Sequence, residues 1–141
     1  MRYLLDTNAC IALLNGRPPA LASRVRRHTP ADFGLPALVT YELYYGAFKS
    51  THKDRNLGLL DRIAFEVVPF DAADARAAGA VRATLEEIGR PIGPLDTLIA
   101  GQALARGLVL VTANTREFGR VEGLDCEDWS VPTEAPDETP L

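Results

Sequence analysis

Apolar and polar positions along this chain fall into blocks that read as helices between short strands. Tyr3-Leu4-Leu5 is an apolar triplet broken by Asp6 and predicts a short buried strand. Cys10 to Leu14 predicts a helix that stops near Asn15-Gly16. Pro18-Pro19 opens a second helix through Arg27, since proline is tolerated in a helix's first turn. Phe33 to Pro36 predicts a second short strand, and Thr40 stands as the N-cap of a helix running to about Phe48. Leu57, Leu60, Ile63 and Ala64 recur at helical spacing and predict a further amphipathic helix. Phe65 to Phe70 reads as a strand. Asp71 then caps an alanine-rich helix, Ala72 to Ile88, closed by Gly89. Pro91 to Pro94 reads as a loop, and Pro94 opens a helix that ends at Arg106 with Gly107 as its C-cap. Leu108 to Val111 is wholly apolar and partly β-branched, as a strand covered on both faces should be. Leu124 to Glu127 predicts a last edge strand. Helices alternating with short apolar strands imply a mostly parallel sheet with helices on both faces.

Composition narrows this picture. The chain has 141 residues, the size of one domain, and 47% hydrophobic content marks it as globular. The domain is expected over residues 1–129, followed by a flexible, acidic, proline-rich tail over residues 130–141. No apolar run approaches the roughly 20 residues that span a bilayer. Asp6 interrupts the first apolar stretch, which does not have a signal peptide's layout, so a cytoplasmic protein is expected. Two cysteines, Cys10 and Cys126, make neither a disulfide framework nor a zinc cluster, and Cys10 reads as a small buried apolar residue. The net charge of -4 argues weakly against a nucleic-acid partner. Its distribution softens that argument, because Arg17, Arg24, Arg26 and Arg27 cluster early while Glu134, Asp137 and Glu138 sit in the tail. The arginines read either as a solvated helix face or as a basic rim facing phosphates.

Three acids stand out. Ligands of open parallel sheets bind beyond the carboxyl ends of the strands. Asp6 follows the first strand directly, and Asn114 follows the strand over 108–111 after Thr112-Ala113. Glu42 and Asp96 are expected in first helical turns that face the same edge. Converging carboxylates repel one another unless a hard divalent cation lies among them. Each position also has a structural explanation. The helix dipole favours acids in a first turn by about 0.3–1 kcal/mol. Asp6 serves equally as a turn residue with Asn8 as N-cap, Asn114 as a cap, and Glu117 as a surface acid. Position alone leaves both readings open.

The flanking residues carry more. The segments LLDTNACIALLNG, TYELYYGAFKS and GPLDTLIAGQALARGLVLVTANTREFGRVEGLDCEDW span nearly the whole domain. In order and spacing the chain resembles the PIN-domain ribonucleases, specifically VapC-type toxins of VapBC toxin–antitoxin systems. The resemblance implies a compact three-layer α/β/α sandwich with about five short strands. It also implies a magnesium- or manganese-dependent endoribonuclease. Asp6, Glu42 and Asp96 would be the acidic metal-site residues and Asn114 a fourth catalytic position. The family often has Asp at that fourth position, so a neutral Asn114, with Glu117 three residues on, leaves one-metal and two-metal catalysis both open. Thr7, Asn8 and Thr112 would be outer hydrogen-bonding partners. Arg24, Arg27, Lys49 and Lys53 are candidate RNA contacts.

A haloacid-dehalogenase-type phosphatase needs a second Asp two residues after the first, where this chain has Asn8. A receiver domain needs adjacent acids after its first strand and a late lysine, whereas the only lysines are Lys49 and Lys53. The remaining alternative is an inactive PIN-like module that binds a partner protein or RNA without cleaving it. The resemblance further implies a homodimer, a tRNA or rRNA substrate and a cognate VapB-type antitoxin. Tyr41, Leu43, Tyr44, Tyr45 and Phe48 crowd one helix, and those not needed in the core would form an antitoxin or dimer surface.

Overall fold

The computed structural model describes residues 1–132. Five strands form one sheet: β1 (Tyr3–Leu5), β2 (Phe33–Pro36), β3 (Glu66–Val68), β4 (Val109–Val111) and β5 (Cys126–Glu127). Their order is β3-β2-β1-β4-β5, and every pairing is parallel. All of β1 and β2 is buried, which explains why both read as unbroken apolar runs. The chain builds outward from β1 through β2 to β3, then returns to the other side of β1 for β4 and β5. The order therefore reverses between β1 and β4, and each parallel connection is made through helices that flank the sheet.

The helices are α1 (Thr7–Asn15), α2 (Pro19–Val25), α3 (Ala37–Lys49), α4 (Lys53–Asp61), α5 (Ala72–Glu87), α6 (Pro94–Arg106) and α7 (Thr115–Phe118). Several boundaries differ from expectation. The first helix starts at Thr7, not Cys10, and Asp6 rather than Asn8 is its N-cap, accepting from the backbone N–H of Ala9 at 2.8 Å. Thr40 is not an N-cap. The third helix starts at Ala37, and the Thr40 hydroxyl bonds back to the Ala37 carbonyl at 2.7 Å. Glu42 consequently lies in the second turn. The fourth helix ends at Asp61, so Ile63 and Ala64 lie beyond it, although Ile63 still packs against the core. The third strand is confined to Glu66–Val68. The segment expected as a tail passes outside the described residues at Thr133.

Two arrangements fix the frame around the sheet. Helices α5 and α6 pack closely because Gly101 has no side chain; a Cβ there would lie 2.5 Å from the Ala78 Cα. At the head of α5, Asp74 is 1% exposed and accepts from Gln102 at 3.1 Å and from Arg106 at 3.1 and 3.0 Å. Burial pushes the Asp74 carboxyl up, but hydrogen bonds from Arg106, the Asp71 backbone and Gln102 outweigh it and hold the group below its ordinary value. A second arrangement centres on buried Trp129, just after β5. His28 stacks on it at 5.4 Å, Arg24 lies 4.6 Å over its ring, and Tyr3 meets it edge-on at 4.8 Å.

A depressed carboxylate contributes stability above its unfolded pKa and loses it as pH falls through the folded value. At neutral pH, Asp74→Asn should therefore lower the unfolding free energy by about 2–3 kcal/mol, the scale of charge-assisted hydrogen bonds. Urea unfolding at neutral and acid pH should show the gap closing once wild-type Asp74 is protonated. A gap of constant size would assign the loss to packing alone.

Candidate active site

At the reversal between β1 and β4, a side-chain hydrogen bond joins the two strand ends. Asp6 leaves the end of β1, Thr112 leaves the end of β4, and the Thr112 hydroxyl donates to Asp6 Oδ2 at 2.6 Å. Asp6 Oδ1 accepts from Ala9 N–H, so both oxygens of this 5%-exposed carboxylate have a donor. Thr112 is held in turn, since its hydroxyl accepts from the backbone N–H of Asn114 at 2.9 Å. These bonds are local consequences of strand ends: each residue that leaves the sheet turns immediately into a cap or a tight turn.

The other acids come to the same edge. Glu42, from the second turn of α3, accepts from the Thr7 hydroxyl in the first turn of α1. Asp96 is the third residue of α6 and lies in the electrostatic field of Asp6, Glu117 and Glu42. Asn114 donates its side-chain N–H to Glu117 Oε2 at 2.7 Å. Burial pushes the Asp6 carboxyl above its ordinary value. The Thr112 and Ala9 hydrogen bonds oppose that rise, and the charges of Glu42 and Asp128 add to it. Asp96 is also pushed up, first by burial and then by Asp6, Glu117 and Glu42. Asp6 and Asp96 are thus both harder to ionise than an isolated carboxyl. Among the described residues, however, no three acidic, His or Cys side chains converge tightly enough to enclose a metal by themselves.

Sequence-predicted residues divide accordingly. Asp6, Glu42, Asp96, Thr7, Thr112, Asn114 and Glu117 share this edge through hydrogen bonds or mutual charge. Asn8 is exposed, and its side chain makes no hydrogen bond among the described residues. Arg24 is engaged elsewhere, paired with Glu127 at 3.0 Å and lying over Trp129. Lys49 lies 4.9 Å from the Tyr45 ring centroid, Lys53 opens α4, and Arg27 follows α2. One acid escaped the sequence reading. Asp128 follows β5 as Asp6 follows β1, and its charge reaches Asp6. The rule applied to Asp6, that an acid leaving a strand faces the ligand edge, was available for it too.

Cys10 lies beside this group but not as a ligand. Burial, with the charge of Asp6, pushes its thiol up to about 12, so it stays protonated at neutral pH. The donors facing the edge are oxygens, the ligands hard divalent cations prefer.

Comparison with known proteins identifies the fold and the family. The PIN domain family model matches residues 3–124. The tRNA(fMet)-specific endonuclease VapC of Shigella flexneri is 42% identical over 132 residues, covering 92% of this chain and 99% of the relative. The crystal structure of DNA-bound VapBC from Salmonella typhimurium superposes with a TM-score of 0.86 at 40% identity, covering 92% of this chain and 98% of that one. VapBC-1 from nontypeable Haemophilus influenzae superposes with a TM-score of 0.84 at 32% identity, covering 93% of this chain and all of that one. An all-parallel sheet with acids gathered at its β1/β4 reversal, matched over nine-tenths of its length, places this chain in the PIN-domain family, within its VapC group.

Proposed function

We propose that the chain is a metal-dependent endoribonuclease toxin. It hydrolyses phosphodiester bonds of a tRNA or rRNA and is restrained by a cognate VapB-type antitoxin. The observation that carries this reading is the gathering of Asp6, Glu42 and Asp96 at the one sheet edge where strand order reverses. The inactive-module alternative leaves that costly concentration of charge without a purpose. One nuclease domain over residues 1–129 accounts for all of these groups, with residues 130–141 as an appendage. Among the described residues no helix is long and apolar enough to cross a membrane. A cytoplasmic site of action fits a substrate of this kind.

Asp6, Glu42 and Asp96 would hold magnesium or manganese, with few direct carboxylates and several waters, as magnesium prefers. When bound, such a cation lowers the pKa of a coordinated water and neutralises charge at the scissile phosphate. The protein's own groups prepare that site. Ala9 N–H and Thr112 fix both oxygens of Asp6, Thr7 orients Glu42, and Asn114 holds Glu117. Raised carboxyl pKa values set the pH dependence. Asp6 and Asp96 retain protons through and above the ordinary carboxylate range, and these compete with the cation, so activity rises with pH as the protons are lost above that range. Candidate phosphate contacts are Lys49 and Lys53 at the α3–α4 corner, with Arg27 after α2; Arg24 reaches RNA only by leaving Glu127.

The partner surface is also marked. On α3, Tyr41, Tyr45 and Phe48 are 67%, 59% and 62% exposed, whereas Leu43 is buried. Beside them, Ile11, Leu14, Leu59 and Leu60 line a groove of about 240 Å³ that includes Glu42 at its wall. An apolar antitoxin segment seated there would cover these aromatics and end next to the catalytic acids.

Purified protein with magnesium or manganese should cut RNA, and EDTA should stop it. Asp96→Asn should lower the rate by more than the roughly 10–100-fold that outer-shell changes cost. Cleavage that survives both treatments contradicts the assignment. Hydrogen exchange with and without antitoxin should show new protection in α3, and unchanged protection there would remove the aromatic stripe from the partner surface.

A further inference from the structure

Strand register places one more acid in line with the site. Leu5 of β1 pairs with Val111 of β4, and Val111 pairs with Glu127 of β5. The next residues, Asp6, Thr112 and Asp128, therefore leave three adjacent strands in one row at the carboxyl edge. Neighbouring strands lie about 4.8 Å apart, so the Asp6 and Asp128 backbones flank Thr112 at a separation of roughly 10 Å. Thr112 ties the row together: its hydroxyl donates to Asp6 at 2.6 Å, and its backbone N–H donates to the Glu127 carbonyl at 3.0 Å.

The position of Asp128 is held more firmly than a two-residue edge strand would require. Glu127 Oε1 accepts from Trp129 Nε1 at 2.8 Å and from Arg24 at 3.0 Å. The indole is 1% exposed, and His28, Tyr3 and Phe33 pack around it. Residues 127 and 129 are thus both anchored, and the backbone of Asp128 is fixed between them. Its Oδ1 accepts from the Ser130 N–H at 2.8 Å and from the Ser130 hydroxyl. Its Oδ2 makes no hydrogen bond among the described residues.

From this geometry we propose that Asp128 is a positioning residue of the active site, a carboxylate on the β5 flank that would accept from the cation's outer waters beside Asp6 and Thr112. It offsets the neutrality of Asn114, whose side-chain N–H is committed to Glu117. A hydrated divalent cation keeps several waters that need acceptors, and the unbonded oxygen of Asp128 provides one. The inference rests on the nuclease reading above. Its rival is a purely local role, in which Asp128 only caps the turn into Ser130.

Manganese titration by calorimetry in the absence of RNA separates these roles. Asp128→Asn keeps an Oδ1 acceptor for Ser130, so the metal-free melting temperature should not fall. The manganese dissociation constant should rise by about tenfold, the lower end of the outer-shell range. Asp128→Glu restores the charge and should recover most of the affinity, even though its longer side chain disturbs the turn. Equal affinity in wild type and Asp128→Asn overturns the proposal and leaves the nuclease reading standing. So does an affinity loss that comes with a lowered metal-free melting temperature and is not recovered by Glu. Wild-type protein that binds no manganese overturns both.

Discussion

A carboxylate buried at the end of the central strand is the constraint on which the rest depends. Asp6 cannot be withdrawn from water without donors, because an unpaired buried charge costs several kcal/mol. Two donors meet it, from the first turn of α1 and from the end of β4. The first requires the chain to turn into a helix at once after β1. The second requires β4 to lie beside β1 in register, with Thr112 level with Asp6. The sheet's reversal, the start of α1 and the chemistry of the edge are therefore one arrangement. Adding Glu42 and Asp96 makes the edge electrostatically unfavourable on its own, and a cation or a partner's positive charge relieves it.

Such an edge needs a stiff frame, and the frame lies away from the acids. The contact of α5 with α6 is set by the bare backbone at Gly101 and by the bidentate bond of Arg106 to Asp74. Because α6 also carries Asp96 in its first turn, the same contact positions that acid. Elsewhere, Trp129 just after β5 packs against Tyr3 of β1, Phe33 of β2 and His28, which ties the end of β5 to the body of the domain. One contact uses a charged hydrogen-bond network and the other an aromatic stack. Each ends at a carboxylate facing the edge.

The inner strands were legible because double coverage makes them apolar throughout, as in Tyr3-Leu4-Leu5 and the run ending at Val111. Helix ends marked by Asp71 and Gly107 were legible because a cap and a left-handed glycine have few other uses. The start of α3 was not, since a threonine hydroxyl serves equally as an N-cap or as a back-bond within a helix, and Thr40 does the second. Asp6 and Asn8 offered the same capping chemistry two residues apart, and only β1's exact end decides between them. Asp6, Glu42 and Asp96 were identifiable as candidates from strand and helix ends, and the family resemblance joined them. Arg24 drew attention as a cation, yet its partner Glu127 is 103 residues away and invisible to local pattern. Asp128 directly follows the expected Leu124–Glu127 strand, but beside Asp125 and Glu127 it reads as one of several surface acids.

The central claim is that these acids form one cation-binding edge at the β1/β4 reversal. Anomalous scattering from manganese-soaked crystals tests it directly. A manganese peak is expected at the carboxyl ends of β1 and β4, between Asp6 and Asp96. A peak elsewhere, or none at a manganese concentration that saturates RNA cleavage, would contradict it.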